Sequence, residues 1–187
     1  MYSQNNEEEY ILDYFKGTLL DIGANNGKAL SNSAALIDMG WRAVMVEPAP
    51  KTFKELKKNY KGNKRVTCLN LAITETCGKI PFYSVTDSLV SSSIKSYATS
   101  WNKPIKEIMV KSLDWETFSK QYGGDYDFIS IDAEGCDWSI LKKIDLTKVR
   151  MVCAEHGNTH EKEMREYCES FGMKLILRNF ENILMAR

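Results

Sequence analysis

The sequence predicts a single α/β domain built on a mostly parallel sheet with helices on both faces. Three observations carry that expectation. Short apolar segments alternate with single helical segments, a glycine-bounded turn follows the first such strand, and acidic residues recur where strands end. Parallel strands buried on both faces read as continuous apolar runs, and right-handed crossovers through the intervening helices join them. At 187 residues, 43% of them apolar, the chain can bury one sizeable core, whereas a second independent domain would bury too little surface to be stable. Residues 1–187 are therefore read as one domain.

Residues 10–15 form a short amphipathic helix, since Ile11, Tyr14 and Phe15 share a face. Residues 18–22 read as a buried strand, followed by the turn and a helix over residues 28–39 that Gly40 ends. Residues 42–46 are a second apolar strand closed by Glu47-Pro48, and residues 52–60 carry Phe53, Leu56 and Tyr60 at helical spacing with lysines on the other faces. A third strand, 66–69, continues into Asn70-Leu71-Ala72-Ile73. The pattern then changes. Residues 79–83 and 107–110 read as extra strands around a serine-rich stretch, 87–101, without a firm period, and Asp114 is placed to cap a helix holding Trp115 and Phe118. The stretch of approximately 79–113 is thus an insertion, read as a lid or substrate wall, with an ordinary surface loop as the competing reading. Order returns with a strand at 126–132 ending in acids, a helix from Asp137, a strand at 150–154, a helix over 159–171, a strand at 174–177, and a final edge strand at 182–185.

Charge and cysteine usage narrow the class. Lys plus Arg and Asp plus Glu are both 25, so no global field recommends a nucleic acid or an anionic membrane. Cys68, Cys77, Cys136, Cys153 and Cys168 are an odd number in no close-spaced pair, which supports neither a zinc site nor a disulfide framework and fits a reducing compartment. No apolar run is long enough to cross a bilayer, and residues 1–9 are polar and acidic rather than a signal sequence. A cytoplasmic protein with no membrane partner is expected; the sequence fixes no oligomeric state.

Leu19-Leu20-Asp21-Ile22-Gly23-Ala24-Asn25-Asn26-Gly27 is the first candidate site. Gly23 and Gly27 lack side chains where a cofactor would approach the backbone, and a helix starting near Gly27 would offer unpaired N–H groups and the positive end of its dipole. Glu47, at the end of the next strand, can accept both ribose hydroxyls. An adenosine cofactor follows, but not which one. Against NAD, the turn lacks the second glycine of G-x-G-x-x-G, and the Asp21 carboxylate would repel a diphosphate while suiting the ammonium of a methionine. Asp21 and Asn25 could instead simply fix the turn.

Together Asp21-Ile22-Gly23-Ala24-Asn25-Asn26-Gly27, Val46-Glu47-Pro48, Asn70-Leu71-Ala72-Ile73 and Asp127-Phe128-Ile129-Ser130-Ile131-Asp132-Ala133-Glu134-Gly135 resemble an FkbM-type, S-adenosylmethionine-dependent methyltransferase. The resemblance implies a class I methyltransferase Rossmann-like three-layer sandwich, its seven-stranded, mostly parallel sheet ordered 3-2-1-4-5-7-6 with strand 7 antiparallel. It implies that Asp21, Gly23, Asn25 and Gly27 surround the methionine portion of S-adenosylmethionine, that Glu47 with Pro48 holds the ribose side, and that Leu71 and Ala72 lie beside adenine. It also implies O-methylation, with a saccharide among the small-molecule acceptors. The chain departs from the family pattern at Ser130, where lysine is common, and at Ala133, where valine is common.

The second candidate site is acidic. Asp132 and Glu134 follow one strand and Glu155-His156-Gly157 its neighbour, so both could converge on the carboxyl edge where open parallel sheets bind ligands. Asp132 is the favoured organiser of the acceptor and general base, with His156 the next candidate and Glu134 a third. An ordinary hydrogen-bonded loop histidine is an equal reading of His156, Glu134 could merely serve the Gly135 turn, and His160 reads as a solvent-exposed helix start. Asp132, Glu155 and His156 could also hold Mg2+ or Mn2+. Ser88, Ser91, Ser92, Ser93, Tyr97 and Trp101 could hold a hydroxylated small molecule or glycan. RNA is a disfavoured acceptor, suggested by Lys51, Lys54, Lys57, Lys58, Lys61, Lys64 and Arg65. A nicotinamide-dependent oxidoreductase and a noncatalytic S-adenosylmethionine sensor are the competing classes.

Overall fold

The computed structural model describes residues 2–11, 17–85, 91–100, 102–157 and 159–187. The chain runs α1 (Glu7–Ile11), β1 (Thr18–Ile22), α2 (Ala34–Asp38), β2 (Arg42–Val46), α3 (Pro50–Asn59), β3 (Val66–Leu69), β4 (Ala72–Ile73) and β5 (Gly78–Val85). It continues through α4 (Lys95–Ser100), β6 (Ile105–Leu113), α5 (Trp115–Tyr122), β7 (Phe128–Ile131), α6 (Asp137–Leu141), β8 (Met151–Glu155), α7 (Glu161–Ser170), β9 (Lys174–Arg178) and β10 (Asn182–Ala186).

A seven-stranded sheet has the order β3-β2-β1-β7-β8-β10-β9. β1 pairs in parallel with β2 and β7, and β10 is antiparallel to both β8 and β9. This is the sheet order that the resemblance implied. Its centre is apolar because β1 and β7 are covered on both faces: Leu20, Ile129 and Ile131 join α5, α6 and α7 residues in one core, while Leu19 and Phe128 join Leu36 of α2 and Leu56 of α3 in another. Burying each such side chain contributes about 1.5–3 kcal/mol relative to exposure. α3 starts cleanly because Pro50 occupies its first turn, and α5 is capped as expected, Asp114 Oδ1 accepting the Thr117 N–H at 2.7 Å.

Three expectations need correction. The segment after Gly27 is not helical until Ala34, so α2 spans only Ala34–Asp38. Short polar side chains intercept the donors: Asn26 Oδ1 accepts the N–H groups of Lys28 and Ala29, Ser31 Oγ accepts those of Ser33 and Ala34, and Leu30 is left-handed at φ 54°. Such local bonds compete with a helix for the backbone. α2 therefore does not begin at the glycine turn. Second, residues 182–186 are not an edge: β10 lies between β8 and β9 with all its residues buried, and β9 is the edge. Third, the N-terminal helix begins earlier, at Glu7; Tyr14 and Phe15 of the expected helix lie outside the described residues.

Between the third and fourth strands of the main sheet, β4, β6 and β5 form a second, three-stranded sheet, with β5 antiparallel to β6 along its length. α4 forms within the serine-rich stretch. No helix among the described residues is long and apolar enough to cross a membrane.

Candidate active site

Parallel topology brings the carboxyl ends of β1, β2, β7 and β8 to one edge, and there a cavity of about 340 Å³ opens. Its volume suits a small organic ligand. Asp21, Gly23, Asn25, Glu47, Pro48, Leu71, Ala72, Asp132, Glu134 and Glu155 all line it. Gly27 and His156 are not among the lining residues.

The two glycines serve the protein's own packing. A Cβ on Gly23 (φ +84°) would fall 1.8 Å from the Asp132 carbonyl oxygen, and one on Gly27 (φ +73°) 2.5 Å from the Tyr60 ring. The turn after β1 thus abuts the start of the turn after β7. Asp132 N–H also donates to the Ile22 carbonyl at 2.9 Å, while the Gly23 and Ala24 N–H groups both donate to Val46 O at 3.0 Å. Close approach of chain to chain is what excludes side chains at Gly23 and Gly27.

Glu47 is buried, and its two oxygens accept the N–H groups of Asn25 (3.0 Å) and Ala49 (2.7 Å). Each carboxylate oxygen keeps a lone pair for a further donor. Asn70 fixes the segment carrying Glu47 by donating to the Glu47 and Pro48 carbonyls at 2.8 and 3.0 Å. The sequence reading missed this role; the signal was an amide side chain just before Leu71 and Ala72. Burial pushes Glu47 up to about 7, with the Asp21 and Asp132 charges adding to the effect, and burial pushes Asp21 up to about 6.

Asp132 lines the same cavity and is exposed to it. Its carboxyl is raised by removal from bulk water and by the Asp21 and Glu181 charges. Glu155 stands within hydrogen-bond reach of Asp132 and is raised by burial and then by the Asp132 charge. Glu134, left-handed at φ 52°, is raised chiefly by burial. Asp137 is not a helix cap: its oxygens accept the Ala133 (2.6 Å) and Gly135 (3.0 Å) N–H groups and pin the turn that carries Asp132 and Glu134.

Asp132, Asp137 and Glu155 each place an oxygen within 4.8 Å of the others. His156 is not in this cluster. It is buried, its N–H donates to the Glu181 carbonyl at 2.8 Å, and Nε2 lies 3.3 Å from the Asn179 carbonyl. His160 is half exposed and lies 3.7 Å from Glu163.

The serines are largely structural. Ser91 Oγ accepts the Val85 N–H, Ser92 Oγ donates to the Glu134 carbonyl at 2.7 Å, and Ser93 Oγ lies 3.1 Å from Cys136 Sγ. They fasten α4 over the acidic turn, where the Tyr97 hydroxyl reaches Glu155 at 3.4 Å. Ser88 and Trp101 lie outside the described residues.

A family model described as the methyltransferase FkbM domain matches residues 21–180. No curated protein matches the chain. Among solved structures, a precorrin-6y C5,15-methyltransferase from Geobacter metallireducens is 13% identical with a TM-score of 0.51, over 100% of this chain and 93% of that one. A candidate RNA methyltransferase from Pyrococcus horikoshii is 10% identical with a TM-score of 0.52, over 95% and 76%. The ribosomal protein L11 methylase of Lactobacillus delbrueckii subsp. bulgaricus is 12% identical with a TM-score of 0.48, over 96% and 73%. At such identities the likeness is one of fold.

Proposed function

The chain belongs to the FkbM methyltransferase family, and we propose that it methylates a hydroxyl of a small molecule, a saccharide among the candidates, with Asp132 as the general base. The observation that carries this reading is the cavity itself, which Glu47 and the acidic group Asp132, Glu134 and Glu155 line together. Its residues fit S-adenosylmethionine: Glu47 offers acceptor positions to the ribose hydroxyls, Leu71 and Ala72 supply an apolar wall, and Asp21 is a buried countercharge for the ammonium. Pro48, Gly23 and Asn25 complete that side, and Gly27 acts at one remove by letting Tyr60 and Leu56 support the turn.

When bound, S-adenosylmethionine supplies a methyl carbon that bonds to the acceptor oxygen while the carbon–sulfur bond breaks and its electron pair returns to sulfur. Asp132 orients the acceptor hydroxyl and takes its proton. Glu155 shares the raised proton affinity of that pair, and Asp137 holds the backbone from which Asp132 projects. His156 is given no role as base, because its ring faces the Asn179 carbonyl rather than the cavity. The β5–α4–β6 excursion forms the acceptor wall through Phe82, Ser91, Ser93 and Tyr97.

The Mg2+ or Mn2+ reading meets an incomplete donor set. His156 is turned away, which leaves the all-carboxylate group Asp132, Asp137 and Glu155, and both Asp137 oxygens already accept one backbone N–H bond each. Proton transfer to Asp132 needs no ion. Methyl transfer is expected to survive exhaustive chelation at full rate; a loss restored by added magnesium would reverse this assignment.

RNA is the second acceptor class. Lys51, Lys54, Lys57, Lys58, Lys61, Lys64 and Arg65 are all exposed, on α3 and the loop after it, but the cavity is lined with carboxylates that repel phosphate. NAD meets the same obstacle at Asp21. Five free cysteines fit a cytoplasmic location. The deciding experiment is calorimetric binding of S-adenosylmethionine and NAD followed by labelled-methyl transfer to small hydroxylated molecules, glycans and RNA. Saturable binding with no methylated product would favour a sensor, and methylated RNA alone would replace the small-molecule reading.

Proton linkage gives a further expected result. Asp21 at about 6 and Glu47 at about 7 lie above their ordinary values, so the ligand-free fold holds these protons more tightly than the unfolded chain. Their contribution to stability is full below the unfolded values and is lost as pH rises through 6 to 7. A cationic ligand prefers the ionised carboxylates. Thermal denaturation should show the ligand-free protein losing stability between about pH 4 and pH 7, and calorimetry should show S-adenosylmethionine binding more tightly as pH rises toward 7. A pH dependence of affinity that is smaller in Glu47→Gln than in the parent, with the part set by Asp21 remaining, would identify Glu47 as one of the linked groups.

A further inference from the structure

We propose that Gln4 binds the α-carboxylate of S-adenosylmethionine, and that Glu7 is the positioning residue that holds Gln4 at the cavity. This rests on the cofactor reading given above. It adds to that reading a binding residue outside residues 21–180, the part of the chain that the family model matches.

Residues 2–7 form a strap fastened at both ends. At one end the Tyr2 hydroxyl donates to Asp38, the last residue of α2, at 2.8 Å, and the Lys28 ammonium, 3.1 Å from Asp38, lies 5.3 Å from the centre of the Tyr2 ring. At the other end Glu7 is fully buried. Its Oε2 accepts the Asn5 N–H at 2.9 Å, and its Oε1 accepts the side-chain amides of Asn179 and Asn182 at 2.8 and 2.9 Å. A buried carboxylate is tolerated only where donors surround it. Here the donors come from two distant parts of the chain, so the Glu7 charge ties the strap to the β9–β10 turn. Asn5 adds a second tie, its side-chain amide donating to Glu181 Oε2 at 3.0 Å. Gln4 lies between the two fastenings and lines the cavity with Ser31, Asn32, Glu181 and Asn182. Ile11 joins the core cluster of Leu36 in α2 and Leu56 in α3, which keeps the strap on the side of the connection that follows the Asp21 turn.

The donor's amino-acid end carries two opposite charges. Asp21 suits the ammonium, but the adjoining carboxylate enters a space lined by Asp21, Glu47, Asp132, Glu134, Glu155 and Glu181, where Lys103, just before β6, is the one cationic side chain among the described residues. It needs hydrogen-bond donors to offset that repulsion and its lost hydration. The amide side chains of the wall are Gln4, Asn25, Asn32 and Asn182. Asn182 is committed to Glu7, and the Asn32 amide lies 3.5 Å from Cys153 Sγ. Gln4 is exposed, and its side chain makes no hydrogen bond among the described residues, so both of its N–H donors can serve a ligand. An uncharged amide also leaves Asp21 to the ammonium, whereas a lysine or arginine at this position would compete for it.

The test is calorimetric binding at pH 7 of S-adenosylhomocysteine and of its decarboxylated analogue, which keeps the ammonium, to the parent, Gln4→Ala, Glu7→Gln and the double variant. Gln4→Ala is expected to weaken S-adenosylhomocysteine about tenfold, the scale of one hydrogen bond to a charged group, and to leave the analogue's affinity and the thermal midpoint unchanged. Glu7→Gln is expected to weaken binding with the same dependence on the carboxylate and to add little in the double variant, because it acts through Gln4. Should Glu7→Gln fail to fold, Asn5→Ala, which removes the tie to Glu181, is read in the same way. No loss in Gln4→Ala, or an equal loss for both ligands, overturns the assignment of Gln4, and additive losses in the double variant overturn that of Glu7. In each of these cases S-adenosylhomocysteine binding by the parent leaves the cofactor reading standing. No binding by the parent overturns both.

Discussion

Gly23→Ala is expected to destabilise the protein by about 2–5 kcal/mol, the sum of a left-handed backbone penalty and an overpacking penalty. The new Cβ would lie 1.8 Å from the Asp132 carbonyl oxygen, at a residue with φ +84°. Neither chain can yield cheaply. The Gly23 N–H is tied to Val46 on one side, and the Asp132 N–H to Ile22 on the other. Domains of this kind have about 5–15 kcal/mol in total, so urea denaturation should show a large fraction of the stability gone. Because the clash pushes apart the two turns that bound the cavity, S-adenosylmethionine affinity should fall together with stability. A loss below about 1 kcal/mol with unchanged binding would show that the two turns do not depend on this contact.

Asp132→Asn tests the chemistry without changing shape. The amide cannot take a proton, so kcat is expected to fall by roughly 100- to 10,000-fold, the usual contribution of a positioned general base. S-adenosylmethionine affinity should change little by comparison, because Asp132 faces the acceptor in the proposed arrangement. The expected signature is a fall in kcat with the donor's binding retained. Undiminished kcat would remove Asp132 from the role of base and return attention to Glu134 on the same turn.

The fold was legible in the sequence where periodicity and burial agree. The strand at 66–69 and the start of the helix at Asp137 lie where the apolar pattern puts them, and alternation of strand and helix led to the parallel sheet. Legibility failed where short polar side chains compete for backbone donors. Residues 28–33 carry a helix-like pattern, yet Asn26 and Ser31 hold them as turns. The edge position expected for 182–185 failed for another reason: an apolar run does not say which strand it will lie beside, and β10 is inserted between β8 and β9.

At the site, local sequence carried the individual groups and tertiary structure carried their assignment. The acids after β1, β2, β7 and β8 were each visible as carboxylates at strand ends, because a parallel sheet gathers those ends on one edge. Asn70 bracing the Glu47 segment and Asp137 pinning the acidic turn depend on side-chain directions that spacing does not encode. His156 shows the reverse: adjacent to Glu155 in sequence, it is carried away from the cavity by the loop after β8 and bonded to the β9–β10 turn.

The sequence by itself determined the alternation of strand and helix and the acidic character of one edge, and its motifs carried the resemblance to the family and to its sheet order, since these follow from hydrophobic period and from residues adjacent in the chain. Only the tertiary structure decided that Gly23 makes room for the Asp132 carbonyl and that Asp137 rather than His156 joins Asp132 and Glu155. It alone also decided that α2 starts at Ala34 rather than at the glycine turn. The physical reason is range. Backbone donors are claimed by whichever acceptor arrives first in space, and close approach between two turns is fixed by strand register across the sheet, which no local pattern records.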